Sequence, residues 1–127
     1  MLEIPFYVLD ASKVFKKQVV DYYISEYDAG LTPNPCVMCN KFVKFGWLLD
    51  QAKKLGCEKL ATGHYARCKA PTRINADEEY NADQRGYKLL QAKDKKKDQS
   101  YFLWQLNQDQ LSQILFPIGD YTKSEIK

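Results

Sequence analysis

The 127-residue sequence has a single histidine, His64, and no second close cysteine pair to match Cys36 and Cys39. A structural zinc site built on those two would need Cys57 and Cys68, giving C-x2-C-x17-C-x10-C. That spacing lacks the second tight pair of a zinc ribbon, and Cys57 and Cys68 read as small packing residues. No apolar run approaches the roughly 20 residues that span a bilayer, and no signal-peptide pattern opens the chain, so no membrane role is expected. There are no internal repeats. The excess of one charge sign is also small, with a net charge of only +3. The lysines nevertheless cluster, at Lys13, Lys16 and Lys17, at Lys53 and Lys54, and at Lys93 and Lys95 to Lys97. Such clusters read as solvated faces, or as contacts to a phosphate backbone. What is present is a globular composition, 45% hydrophobic and 13% aromatic, sized for one domain. Four cysteines without a disulfide pattern suit a reducing cytoplasm.

The stretch Thr32 to Phe45, T-P-N-P-C-V-M-C-N-K-F-V-K-F, organises the rest. Pro33 and Pro35 stiffen the backbone and extend the residue before each. This loop is expected to deliver Cys36 and Cys39 to the mouth of a helix starting at about Asn40. The helix dipole, Lys41 and Lys44 would then all favour thiolate over thiol.

Ile4 to Leu9 reads as a buried strand, and Asp10 or Ser12 as the cap of a helix carrying Phe15, Val19, Tyr22 or Tyr23, and Tyr27 on its core face. Gly30 closes that helix. The second helix, Asn40 to Leu55, buries Phe45, Leu48, Leu49, Ala52 and Leu55 and ends at Gly56. Glu58 to Thr62 is a strand, with Gly63-His64 at its carboxyl end. Pro71 to Gly86 (about 69–86 with its flank) is an exposed excursion, and Tyr87 to Ala92 a returning strand. Ser100 to Leu106 and Gln108 to Leu115 are short helices, and Trp47 and Trp104 are packing residues. The order predicts an α/β fold with a parallel sheet, whose ligands gather beyond the carboxyl ends of strands, where Asp10 and His64 fall. Thr122-Lys-Ser-Glu125 is a capping box that announces a helix, and the few strands suggest a sheet cut at both ends.

Four motifs in order, T-P-N-P-C-V-M-C-N-K-F-V-K-F, L-G-C-E-K-L-A-T-G-H-Y-A-R, K-D-Q-S-Y-F-L and F-P-I-G-D-Y-T-K-S-E-I, resemble the central part of the tRNA-specific 2-thiouridylases. The resemblance runs from about Ile4 to Lys127, apart from the excursion. It implies a partial doubly wound, Rossmann-like parallel sheet of the adenine nucleotide alpha hydrolase type, one incomplete ATP-pyrophosphatase-like domain over 1–127. The implied activity is ATP- and Mg2+-dependent transfer of persulfide sulfur to C2 of the wobble uridine of tRNA, with a sulfur-relay persulfide donor as partner. The location would be the cytoplasm, or an organellar matrix in a eukaryote. Carried over by position, Asn34, Pro35 and Cys36 would contact the target base. Cys39 would be the nucleophile and the partner of a disulfide to a second, sulfur-carrying cysteine beyond Lys127. Gly63 would lie at the ATP, and His64, Lys97, Asp98 and Gln99 at the tRNA.

Two departures bear on mechanism. Cys36 stands where many relatives carry an acid/base aspartate, and the resulting C-x-x-C could also ligate an iron–sulfur cluster. The S-G-G-x-D-S phosphate loop of the superfamily is not in the sequence and is expected upstream, so the 127 residues alone should be inactive. The alternatives are a metal-stapled RNA-binding module using Cys36 and Cys39, and an iron–sulfur-dependent tRNA thiolase.

Overall fold

The computed structural model describes residues 3–71 and 86–126. Its first helix, α1, runs over 12–28, with α-helical ends Ser12–Phe15 and Asp21–Asp28 around a widened π segment, Lys16–Val20. It stops as the sequence indicates. Gly30 takes φ 74°, its N–H donates to Tyr27 O, and the Leu31 N–H donates to Glu26 O. This pair of bonds is a Schellman cap, which needs the left-handed residue that glycine supplies cheaply.

The second helix, α2, spans 35–54 and is built from Pro35–Met38, a π-helical stretch Cys39–Leu48, and Leu49–Lys54. Gly56 at φ 83° repeats the same cap, with the Cys57 N–H donating to Ala52 O. Among the described residues four short strands follow: β1 Leu60–Ala61, β2 Ala66–Lys69, β3 Lys88–Gln91 and β4 Ile114–Leu115. β1 and β4 pair in parallel, Leu60 opposite Ile114, while β2 and β3 form an antiparallel ladder from Ala66↔Gln91 to Lys69↔Lys88. A 3-10 turn, Ser100–Phe102, and a short helix, α3 (Gln108–Ser112), complete the crossover between the parallel strands. Asn107 and Gln110 close a reciprocal capping box at the start of α3.

Phe45 from α2 packs with Ala66, Leu103, Leu106, Leu111, Ile114 and Phe116 in one core. Gly119 is buried against β2 so closely that a Cβ there would come 1.8 Å from Ala66 O. This close approach is what the glycine of F-P-I-G-D-Y allows.

Several expectations are corrected. Ile4 to Leu9 is no strand: it joins no ladder among the described residues and leaves Phe6 85% exposed, because a strand needs a neighbour for its backbone groups. Asp10 therefore ends no strand. Its carboxylate accepts the Ser12 N–H and hydroxyl instead of capping α1, and those two bonds hold its pKa below the ordinary value. The helix read over Gln108 to Leu115 stops early, since Ile114 and Leu115 pair with β1. Ser100 to Leu106 shortens to the 3-10 turn. The tyrosines of α1 are not core: Tyr23 and Tyr27 stack on the surface at 6.1 Å, and Trp104 is also exposed. Leu55 and Cys57 are exposed as well, where packing was expected. Thr122 to Glu125 closes the side-chain half of the expected capping box, the Thr122 N–H donating to the Glu125 carboxylate, and forms a single turn among the described residues. The excursion falls, apart from its ends, outside the described residues.

Candidate active site

The cysteine pair is not delivered by a loop to a helix that begins after it. Asn34 (φ −114°, ψ 88°) is the N-cap of α2, its Oδ1 accepting the Val37 N–H at 3.3 Å, and Pro35 occupies the first helical position. Proline there loses no hydrogen bond and has its φ preset, so the helix starts five residues earlier than expected. Cys36 is exposed in the first turn, and Cys39 follows half-buried one turn later. Positions 36, 40 and 44 then fall on one side of α2, which brings Asn40 and Lys44 below the thiols.

The second wall comes from the carboxyl end of β1. Thr62 Oγ1 and His64 Nδ1 lie 2.9 Å apart, and the His64 ring sits 5.7 Å from Phe45 and 6.3 Å from Phe116, edge-on to the latter. The third wall is Gln99, whose N–H donates to Tyr65 O at 2.8 Å and whose Oε1 accepts the Tyr65 N–H at 3.0 Å. These two bonds fasten the K-D-Q segment to the G-H-Y segment. Two adjoining cavities result. One of about 430 Å³ is lined by Lys44, Leu48, Thr62, Gly63, His64 and Gln99. A tighter one of about 150 Å³ lies under Cys36 and Cys39 and reaches Asn40, Lys44, His64, Gln99 and Phe102.

Electrostatics inside this site differ from the sequence expectation. Partial burial pushes the Cys39 thiol up from its ordinary value; Lys44 opposes that, and Cys36 adds to it. The helix terminus and lysines therefore do not win: desolvation disfavours the anion more than one ammonium favours it. Lys41 is turned away, its Nζ lying 5.0 Å over the Phe42 ring. Burial, with Lys44 nearby, pulls His64 down to about 4, so its imidazole is neutral at pH 7 and can accept or donate without carrying charge.

The structure thus brings together Cys36, Cys39, Gly63, His64 and Gln99 from the residues singled out in sequence, and sets Asn34 and Pro35 at the helix start beside them. It does not bring Lys97 and Asp98 to the cavities. Lys97 is exposed, and the Asp98 carboxylate accepts the Ala92 N–H at 2.8 Å and the Ser100 hydroxyl at 2.7 Å, which makes it the organiser of its own turn. Sequence reasoning missed Asn40, read only as a helix start, and placed Lys44 only as a charge beside the thiols, not as a wall of both cavities. The signal was there in the spacing 36, 40, 44. Among the described residues no three His, Cys, Asp or Glu side chains converge as a metal site, so Cys57 and Cys68 complete no staple with the C-x-x-C pair.

A parallel strand pair with a pocket at its carboxyl end, walled on its other side by α2, defines an α/β unit of the Rossmann-like class. The comparisons with known proteins agree. Residues 1–127 match the family described as the tRNA methyl transferase HUP domain, and the chain belongs to that family. The tRNA-specific 2-thiouridylase MnmA of Roseiflexus castenholzii is 47% identical over 99% of this chain and 35% of its own length. MnmA 1 of Caldanaerobacter subterraneus is 48% identical over 100% of this chain and 32% of its own. For MnmA of Helicobacter pylori the figures are 48%, 99% and 33%. The chain spans about a third of the length of these curated relatives.

Proposed function

We propose that this chain is part of a tRNA 2-thiouridylase, holding the face of an incomplete ATP-pyrophosphatase-like domain that receives the target base. The observation that carries the reading is the convergence of Cys39, His64 and Gln99, drawn from three separate motifs, on adjoining pockets beyond β1. The names of the relatives, tRNA-specific 2-thiouridylases at 47–48% identity, support it.

The chemistry asks three things of the site. A uracil must leave its stack and enter a pocket of single-ring size, and the rigid Pro33-Asn34-Pro35 entry beside the 150 Å³ cavity suits that. Its C2 oxygen must become a leaving group, an activation that ATP with magnesium would supply. The larger cavity, with Lys44 as its cation and Gly63 leaving open space, fits one end of a nucleotide. The sequence holds no glycine-rich cradle for a triphosphate. Finally a sulfur nucleophile must be presented. Cys39 serves here as the thiol that receives or resolves a persulfide carried on another cysteine and supplied by a donor protein. Its raised pKa keeps it protonated at rest, so a base must take the proton as it attacks. Lys97 and the other exposed lysines would contact the tRNA backbone. A reducing cytoplasm suits the four free thiols.

A second reading, an iron–sulfur-dependent thiolase, draws on Cys36 and Cys39 lining one pocket. One experiment separates them. The full-length protein, purified without oxygen, is assayed for iron and for thiolation of a wobble-uridine tRNA as wild type, Cys36→Ala and Cys39→Ala. Loss of thiolation in Cys39→Ala with no iron in any form is the expected result. Iron lost together with activity in both variants would replace the persulfide mechanism by the cluster.

A further inference from the structure

Cys36 and Cys39 stand one turn apart at the start of α2, and both are free thiols. Helix geometry sets Cα atoms three residues apart at about 5 Å, inside the roughly 4.4–6.8 Å that a disulfide spans. Here the turn is also tightened, because the Cys39 N–H donates to Cys36 O as well as to Pro35 O. The bond to the residue three back is of the 3-10 kind, which draws side chains at i and i+3 toward eclipse. Little opposes a further adjustment: the first N–H groups of a helix have no partner within it, and the Met38 N–H reaches Asn34 O only at 3.5 Å. Both cysteines line the cavity of about 150 Å³ and neither is buried, Cys36 being exposed and Cys39 half-exposed. The other two thiols lie apart. Cys57 is exposed beyond the Gly56 cap, and Cys68 donates to Leu111 O at 3.8 Å and lines a different cavity.

We propose that Cys36 and Cys39 form a reversible dithiol–disulfide pair, a redox site that reacts with small-molecule disulfides of the glutathione kind. Exposure assigns the roles. A bulky disulfide reaches exposed Cys36 first, and half-buried Cys39 meets what Cys36 already holds. The Cys36 thiolate attacks one sulfur of the incoming disulfide; that S–S bond breaks, and one thiolate leaves and takes up a proton. Cys39 then loses its proton to water, attacks Cys36 Sγ and expels the second thiol. Two electrons and two protons pass from the protein thiols to the incoming disulfide, which ends as two thiols. A dithiol reductant reverses the exchange. On the 2-thiouridylase reading, closure withdraws the Cys39 thiol from sulfur transfer; the pair itself does not depend on that reading.

The test uses the full-length protein, reduced, freed of reductant and treated with oxidised glutathione at neutral pH. It is then quenched with acid and digested for mass spectrometry without reduction. The expected wild-type product is an internal disulfide in the peptide that holds Cys36 and Cys39, two hydrogens lighter, while exposed Cys57 carries glutathione. Cys39→Ser should instead trap glutathione on Cys36, and dithiothreitol should reopen the wild-type pair. Glutathione retained on wild-type Cys36 overturns the proposal without reference to any variant. So does a bridge from Cys39 to some other cysteine of the protein, or a Cys36 that glutathione leaves untouched. None of these readouts passes through tRNA, so the 2-thiouridylase reading stands or falls separately, by the thiolation assay above.

Discussion

The two long helices carry nearly the same local code and meet opposite fates. Each has apolar residues at a period near 3.6, each widens into a π segment, and each ends in the same glycine-based Schellman cap. Yet α1 buries only Val19, while α2 buries Val37, Asn40, Val43, Phe45 and Leu49. The difference lies in what each one touches. α2 lies over the β1–β4 pair and the Phe116 loop, whereas α1 rests on the flank of α2 and turns Val20, Tyr23, Ile24 and Tyr27 outward. Periodicity specifies that a helix has an apolar face; it says nothing of whether that face finds a partner within the chain.

The comparison breaks most sharply at Phe45. It is 1% exposed and touches both the core and the site, lying 5.7 Å from the His64 ring and 6.3 Å from Phe116. Phe45→Ala removes a fully buried ring and leaves a cavity, with an expected loss of about 3–5 kcal/mol in urea unfolding. It should also release His64 to solvent, and its NMR titration should then move up from about 4 toward 6.5. A loss under ~1 kcal/mol with an unmoved histidine would mean that α2 is as loosely held as α1.

His64 sharpens the same contrast through pH, because α1 has no counterpart to it. Its folded pKa of about 4 lies below the ordinary 6.5. Between those values the unfolded chain binds the proton that the folded chain refuses, so stability falls as pH drops from 6.5 toward 4. Above 6.5 the residue contributes no pH dependence, and below about 4 the loss is complete. His64→Gln should flatten this part of the curve and leave the more acidic part, set by carboxylates such as Glu125, in place. Parallel curves for wild type and variant between pH 4.5 and 6.5 would remove desolvation at this site as the cause.

Much of this was legible before the structure. C-x-x-C after two prolines, Gly63-His64 at a strand end, and the glycine caps all express chemistry that acts within a few residues. The rest depends on contacts made across the chain. Ile114 and Leu115 make a two-residue strand, too short for any periodicity, and only their parallel neighbour reveals it. The thiolate reading of Cys39 failed because dipole and lysines can be counted along the sequence while desolvation cannot. Asn40 escaped notice for the same reason: a buried amide with one free oxygen is visible only when Phe102, 62 residues away, is seen to hold the other end. Ile4 to Leu9 shows the converse error, a strand composition with no strand beside it.

The smallest expected effect tests the outward face of α1. Tyr27 is 67% exposed and stacks on Tyr23 with planes 12° apart, a contact that two solvated rings make with little burial. Tyr27→Ala should therefore cost about 0.5 kcal/mol or less in urea unfolding of this chain, roughly a tenth of the loss at Phe45. The substitution also exchanges an aromatic residue for the best helix former, which returns part of even that small loss. A measured cost above ~1.5 kcal/mol would show that the tyrosine stripe is packed. The two helices would then differ less in their partners than their exposures indicate.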